Sequence, residues 1–303
     1  MNHHVLPPLG LALATGALLP WTLARARWAQ QVPRLALTVW TACGLIFALA
    51  VALIPAQLLL PGRVSHRIVD MALTLTFPSL HQLRHATGLE YAAAATALAV
   101  LALPVTGFLR EVLRARRARS RHAGLLQLVG RYDARLGATV LDDPRPAVYC
   151  LPGRSRQVVV SSGAVTTLTE PQLAAALCHE RAHIAGRHHL LVAAARAYAT
   201  AFPRLPLARL GGRAVPLLLE MTADDQAMRA ASREALATAL YTLAVGRAPR
   251  EAFAASGPSA ALRMRRILTP HRSGHPVLRG LFAVTAAAAA ITPLILACCS
   301  VPG

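Results

Sequence analysis

Four apolar segments, each long enough to cross a bilayer, decide what this chain can fold into. They are residues 5–24 (VLPPLGLALATGALLPWTLA), 35–60 (LALTVWTACGLIFALAVALIPAQLLL), 89–109 (LEYAAAATALAVLALPVTGFL) and 277–299 (VLRGLFAVTAAAAAITPLILACC). A membrane-spanning helix needs roughly 20 residues, because lipid offers no partner to an open peptide group and the backbone must satisfy itself. Composition agrees: 55% of the 303 residues are hydrophobic and 15% charged, with a mean hydropathy of +0.45, too apolar for an ordinary soluble domain. The first segment is read as a retained span rather than a signal peptide. MNHH ahead of it carries no lysine or arginine, and no small-residue cleavage site stands out before WTLARARW.

Arginine placement orients these spans. The connection RARWAQQVPR between the first two and the run LREVLRARRARSRH after the third are strongly basic, which assigns both to the cytoplasm. The 61–88 loop and the carboxy-terminal tail then lie outside, although the loop carries Arg63, Arg67 and Arg84. The expected organisation is a membrane domain at 1–109 with three spans, a cytoplasmic domain at 110–276, a fourth span at 277–299 and a short tail at 300–303. The expected location is the cell membrane, crossed several times.

The formal charge of +19 comes from arginine alone, with no lysine. No groove-reading motif or aromatic stacking module accompanies it, so nucleic acid is not an expected partner. The basic run beginning at residue 110 is expected to face anionic headgroups, with the bilayer as partner, at about 1 kcal/mol per residue. Five scattered cysteines, Cys43, Cys150, Cys178, Cys298 and Cys299, do not make a disulfide framework.

Only the stretch between the third and fourth spans can bury a soluble core. In PAVYCLPGRSRQVVVSSGAVTTL, β-branched residues flank a Pro-Gly turn signal, which predicts a hairpin of residues 147–151 and 156–161. From there the pattern is helical. TEPQLAAALCHERAHIAGRHHLLVAAARAYA opens as a helix should, with Thr169 and Gln172 at capping-box spacing and Pro171 in the first turn.

On that helix His179 and His183 project from one face, so two imidazole nitrogens can meet one ion. Glu180 falls beside the pair, within reach of a metal-bound water. Zinc lowers the pKa of such a water to near 7, and the glutamate takes its proton as a carbonyl is attacked. A third protein ligand is needed, and two residues compete. His189 with Gly186 completes HExxHxxGxxH, in which the glycine lets the chain turn. Glu220 in PLLLEMTADDQAMRAA shares a helix face with Asp224, which can accept from the free ring nitrogen of a ligand histidine. The reading favours Glu220, because LLVAAARAYA continues the helix past His189 and the HExxHxxGxxH class is characteristically secreted. His188 and His189 are then expected to face solvent, headgroups or substrate.

HERAH at 179–183 followed by EMTADDQA at 220–227 resembles the paired HExxH and ExxxD motifs of the HtpX-type and BlaR/MecR-type integral membrane metallopeptidases. Three spans before the zinc domain and one after it are similar to the BlaR/MecR-type arrangement. The resemblance implies a mainly α membrane protein with an α+β zincin-like, gluzincin-type domain inserted between the third and fourth helices. It implies one zinc ion on His179, His183 and Glu220, with Glu180 as general base and Asp224 behind the ligands. Sensor members carry a large extracellular domain after the last span, whereas this sequence ends in CCSVPG.

The expected activity is zinc metalloendopeptidase cleavage of a cytoplasmic or membrane-proximal protein, a repressor or regulator for preference. Membrane-protein quality control and a non-catalytic scaffold are the alternatives. Substrate would pair along the 147–161 hairpin as an added strand. Arg263, Arg265, Tyr241 and His271 are candidates for the group that stabilises the oxyanion.

Overall fold

The computed structural model describes residues 5–59, 87–153, 156–247 and 250–269. The expected fourth span, its tail, His271 and nearly all of the outer loop lie outside the described residues. Helix α1 (Leu6–Leu13), a π turn at Ala14–Leu18 ahead of Pro20, and α2 (Leu19–Arg25) form one apolar rod. A short α3 (Arg27–Gln31) leads into α4 (Pro33–Leu59), and α5 runs unbroken from Gly88 to Val129.

Among the described residues, three helices are long and apolar enough to cross a membrane: Leu6–Arg25, Pro33–Pro55 and Tyr91–Val129. They overlap the first three expected spans, although the third runs on to Val129, well past the expected end at residue 109. At 1.5 Å per residue the 42 residues of α5 extend about 63 Å, twice a hydrocarbon core of about 30 Å. The arginine-rich half continues the apolar half as one unbroken helix.

Strands β1 (Gly130–Asp133), β2 (Ala138–Leu141), β3 (Val148–Leu151) and β4 (Gln157–Ser161) form a sheet in the order β1-β2-β4-β3. The hairpin predicted from the Pro-Gly signal is β3–β4, antiparallel with Tyr149 opposite Val159 and Cys150 opposite Val158. The first hairpin, β1–β2, is an addition to the sequence reading. Its turn is held by Asp133 Oδ1, which accepts from Arg135 N at 2.8 Å, and by Gly137, whose φ of +56° suits a residue without a Cβ. Strand β2 joins β4 in parallel, leaving β3 at the sheet edge.

Helix α6 (Ser162–Thr167) follows β4, and α7 (Glu170–Ala185) lies on the sheet beside β3. Ala138, Val148, Val158 and Val160 meet Leu173, Ala176 and Leu177 there in a buried core. Ser161, 2% exposed, ties this corner together. Its Oγ donates to Arg145 O at 2.7 Å and accepts from Ala147 N at 2.8 Å and Ala164 N at 3.1 Å. Ser161→Ala removes a helix cap and strands buried groups, so it is expected to cost about 2–4 kcal/mol. A thermal melt that moves no more than that of an exposed serine variant would contradict this.

Helices α8 (His188–Ala201), α9 (Pro206–Ala227), α10 (Arg233–Arg247) and α11 (Arg250–Leu268) complete the described chain. Helix α8 packs along α5, and α9 packs against α4 and α7. Residues 190–210, whose relation to the membrane the sequence left open, thus lie against the apolar helices. They line an apolar cleft of about 360 Å³ with Trp40, Phe108, Tyr198 and Val215. Close approach depends on small residues: a Cβ at Gly16 would stand 2.6 Å from the Phe47 ring.

The basic connection after the first span docks on the later helices. Arg34 donates to Gln226 Oε1 at 3.0 Å, while Arg266 donates to Gln30 O at 2.6 Å and pairs with Asp225 at 2.7 Å. The 25–34 connection therefore meets the carboxy-terminal end of α9, the helix that carries Glu220.

Candidate metal centre

Helix α7 begins with the expected cap: Thr169 N donates to Gln172 Oε1 at 3.1 Å, and Pro171 occupies the first turn. With the helix phase set, His179 and His183 turn toward α9, which brings Glu220 across from another part of the chain. His179 Nε2 and His183 Nε2 stand 3.2 Å apart. Glu220 Oε2 lies 3.5 Å from the first and Oε1 3.4 Å from the second.

Among the described residues these three form a cluster able to hold a metal ion. The dimensions discriminate. A tetrahedral zinc with bonds of about 2.0–2.1 Å sets its ligand atoms roughly 3.3–3.4 Å apart. The 3.2 Å between the two ring nitrogens is close to that edge, and each nitrogen has its own Glu220 oxygen at a similar distance, which suits a cation shared among the three side chains.

Asp224 is fully buried and faces His179 from the opposite side. His179 Nδ1 is buried 3.1 Å from Asp224 Oδ1, near enough to pair with it, and has no hydrogen bond of regular geometry among the described residues. Arg263, from α11, holds both carboxylates in place. Its Nε and Nη2 donate to Asp224 at 2.9 and 2.7 Å, and its Nη1 lies 2.9 Å from Glu220 Oε2. Of the residues offered as oxyanion donors, Arg263 is thus turned onto the carboxylates. Arg265 and Tyr241 are exposed and stand away from the cleft, and His271 falls outside the described residues.

The charges interlock. Burial opposes ionisation of Glu220 and Asp224. Hydrogen bonding from His179 to Glu220 and from Arg263 to Asp224 outweighs it and brings both carboxyls down to about 2. Burial likewise opposes charge on His179, yet the two carboxylates lift it to about 9. In metal-free protein the carboxylates stabilise above their ordinary values of 4.5 and 3.8 and lose this contribution as pH falls toward 2. His179 contributes fully below 6.5 and loses its contribution as pH rises through 9. The metal-free form is therefore expected to be most stable between pH 4.5 and 6.5. Thermal melts of chelated protein across this range check it, and a profile rising steadily beyond the upper bound would contradict it.

Around the cluster is a cleft of about 470 Å³ lined by Glu180, Tyr149 and Cys150 of the edge strand, and Glu111 and Arg119 of α5. Glu180 borders the triangle of donors without joining it. The Cys150 thiol hydrogen-bonds to the Glu180 carboxylate, and burial together with that charge pushes the thiol above its ordinary range. Tyr149 OH is 2.9 Å from His122 Nε2, which ties the edge strand to α5.

One expectation fails. LLVAAARAYA is helical, but not as part of the motif helix: α7 ends at Ala185, Arg187 takes a left-handed φ of +49°, and α8 starts at His188. The turn delivers His188, which is 6% exposed, onto His183, Nδ1 to Nδ1 at 2.9 Å. His188 therefore does not face solvent. Burial and the neighbouring His183 hold its pKa down to about 4, so it is neutral. His189 lines the cleft but is no part of the donor cluster, and its buried Nδ1 has no hydrogen-bond partner among the described residues. Apolar residues after Gly186 masked the break in the sequence; the one local signal was the glycine. Arg263 had no local signal for its place, since its partners lie 39 residues or more away.

Residues 113–214 match the model of Peptidase family M48. The matched stretch runs from α5 into α9 and contains His179, Glu180 and His183, but ends before Glu220. It supports a metallopeptidase. No curated protein and no solved structure gives a match.

Proposed function

We propose that this chain is an integral membrane zinc metalloendopeptidase of the BlaR/MecR type. His179, His183 and Glu220 hold one zinc ion, Glu180 is the general base, and Asp224 orients His179. The observation that carries this is the donor cluster, two Nε2 atoms 3.2 Å apart with Glu220 Oε2 3.5 Å from one and Oε1 3.4 Å from the other, opening onto a cleft that also holds Glu180.

When bound, zinc would supply a Lewis acid and lower the pKa of a bound water to near 7. The residues do the rest. Asp224 keeps His179 Nε2 turned to the centre, and Arg263 holds Glu220 against rotation. Glu180 takes a proton on the substrate side and returns it to the leaving amine. Strand β3, at the sheet edge and lining the cleft through Tyr149 and Cys150, offers a backbone along which an extended peptide adds as a strand.

The cleft includes Glu111, just past the third span, so substrates lie close to the bilayer. The basic 25–34 connection docks beside the same helices, and the positive-inside rule puts that face in the cytoplasm. A cytoplasmic repressor or regulator is the preferred substrate class.

The test is metal removal. Purified full-length protein in detergent should contain one zinc per chain and cleave a loosely folded protein. A strong chelator should stop cleavage, and zinc should restore it. Cleavage that persists after the zinc is gone would refute the reading.

A further inference from the structure

A histidine that binds a metal must present a lone pair on one ring nitrogen, so its proton sits on the other, and a neighbouring acceptor fixes that tautomer. Both histidines in the donor triangle use Nε2, which leaves both Nδ1 atoms needing an acceptor. For His179 the acceptor is Asp224. For His183 the only ring partner at Nδ1 among the described residues is His188 Nδ1 at 2.9 Å, with the two ring planes 88° apart.

The chain is shaped to put His188 there. Arg187 adopts a left-handed conformation that breaks the motif helix and turns His188 back over His183. Gly186 has an ordinary helical φ of −76°, so its backbone does not require glycine. Space does: a Cβ at Gly186 would stand 2.4 Å from His188 Nε2 and 2.5 Å from its Cδ2. The glycine that could have turned a third histidine onto the ion instead makes room for the histidine behind the second.

We propose that His188, seated by Gly186, is the positioning residue that accepts the Nδ1 proton of His183 and so sets the affinity of the metal centre. Its proton then sits on Nε2, the atom packed over Gly186. This rests on the reading of His179, His183 and Glu220 as metal ligands.

The experiment measures zinc affinity of the full chain in detergent, by competition with a chromophoric chelator, for five proteins. These are the unmodified chain, His188→Leu, His188→Asn, Gly186→Ala and the Gly186→Ala/His188→Leu pair. Leucine keeps bulk but removes the acceptor, and zinc should bind about 10–100-fold more weakly. Asparagine places an oxygen near the Nδ1 position and should restore most of the affinity, which a purely packing role would not allow. Gly186→Ala should weaken binding by displacing the ring, and the double variant should be no weaker than His188→Leu alone.

Unchanged affinity in His188→Leu, or equal losses in the leucine and asparagine variants, would overturn the inference. Additive losses in the double variant would overturn the seating role of Gly186. Should His188→Leu fail to fold, the Asn and Gly186→Ala variants decide alone: affinity lost with Asn, or kept with Ala, overturns the proposal. Absence of zinc binding in the unmodified chain would instead refute the metal centre itself, and with it both readings.

Discussion

Glu180→Gln is expected to keep its zinc and lose cleavage by at least about 10²–10⁴-fold, the range that a general base contributes. Glutamine has the same shape and can still accept the Cys150 thiol hydrogen bond, so the edge strand keeps its place beside the motif helix. What it cannot do is take a proton. Because Glu180 lies outside the triangle made by His179, His183 and Glu220, the metal donors are untouched. Zinc content and turnover measured on one preparation separate the two properties. Retained turnover with full zinc would remove Glu180 from the mechanism, and lost zinc would make it a ligand.

The second large effect is on the ion. Glu220→Gln should release zinc to a mild chelator, with affinity falling by more than about tenfold, the lower bound for groups that merely support a ligand. The variant loses the charge that faces both Nε2 atoms and the ion pair to Arg263 at 2.9 Å. His189→Ala should keep zinc, because His189 lies outside the donor cluster although it lines the same cleft. The reverse outcome, zinc lost with His189→Ala and kept with Glu220→Gln, would replace the third ligand. The family match ends before Glu220, so this pair of variants tests a position that only the packing of α9 on α7 brings to the site.

How legible these features were depended on range. VYCL and QVVVS announced their hairpin, since β-branched residues flank a Pro-Gly turn and the strands pair with neighbours close in sequence. GRYD and ATVL did not. The outer strand of that pair is largely solvent-facing, carries no apolar alternation and follows directly on the arginine-rich end of α5, whose helical pattern ran over it. The three long apolar helices were readable because a run of apolar residues is a property of composition. The packing of α8 and α9 along α4 and α5 was not, because those helices are amphipathic and their sequence does not say which neighbour covers the apolar face.

The same boundary runs through the metal centre. Sequence alone determined that His179 and His183 share a face and that Glu180 stands beside them. Backbone hydrogen bonding gives the helix 3.6 residues per turn, and relations within one turn follow from that repeat. It also showed, through Glu220 and Asp224 four residues apart, a second face suited to the ion. Which donor closes the site was a matter of tertiary structure. Glu220, and not His189, joins the two histidines in the donor cluster because α9 crosses α7, Arg263 arrives from α11 to brace it, and a left-handed Arg187 swings His188 behind His183. Those choices depend on helices meeting across the core, where the side chains that fill the space, and not the local repeat, set the distances.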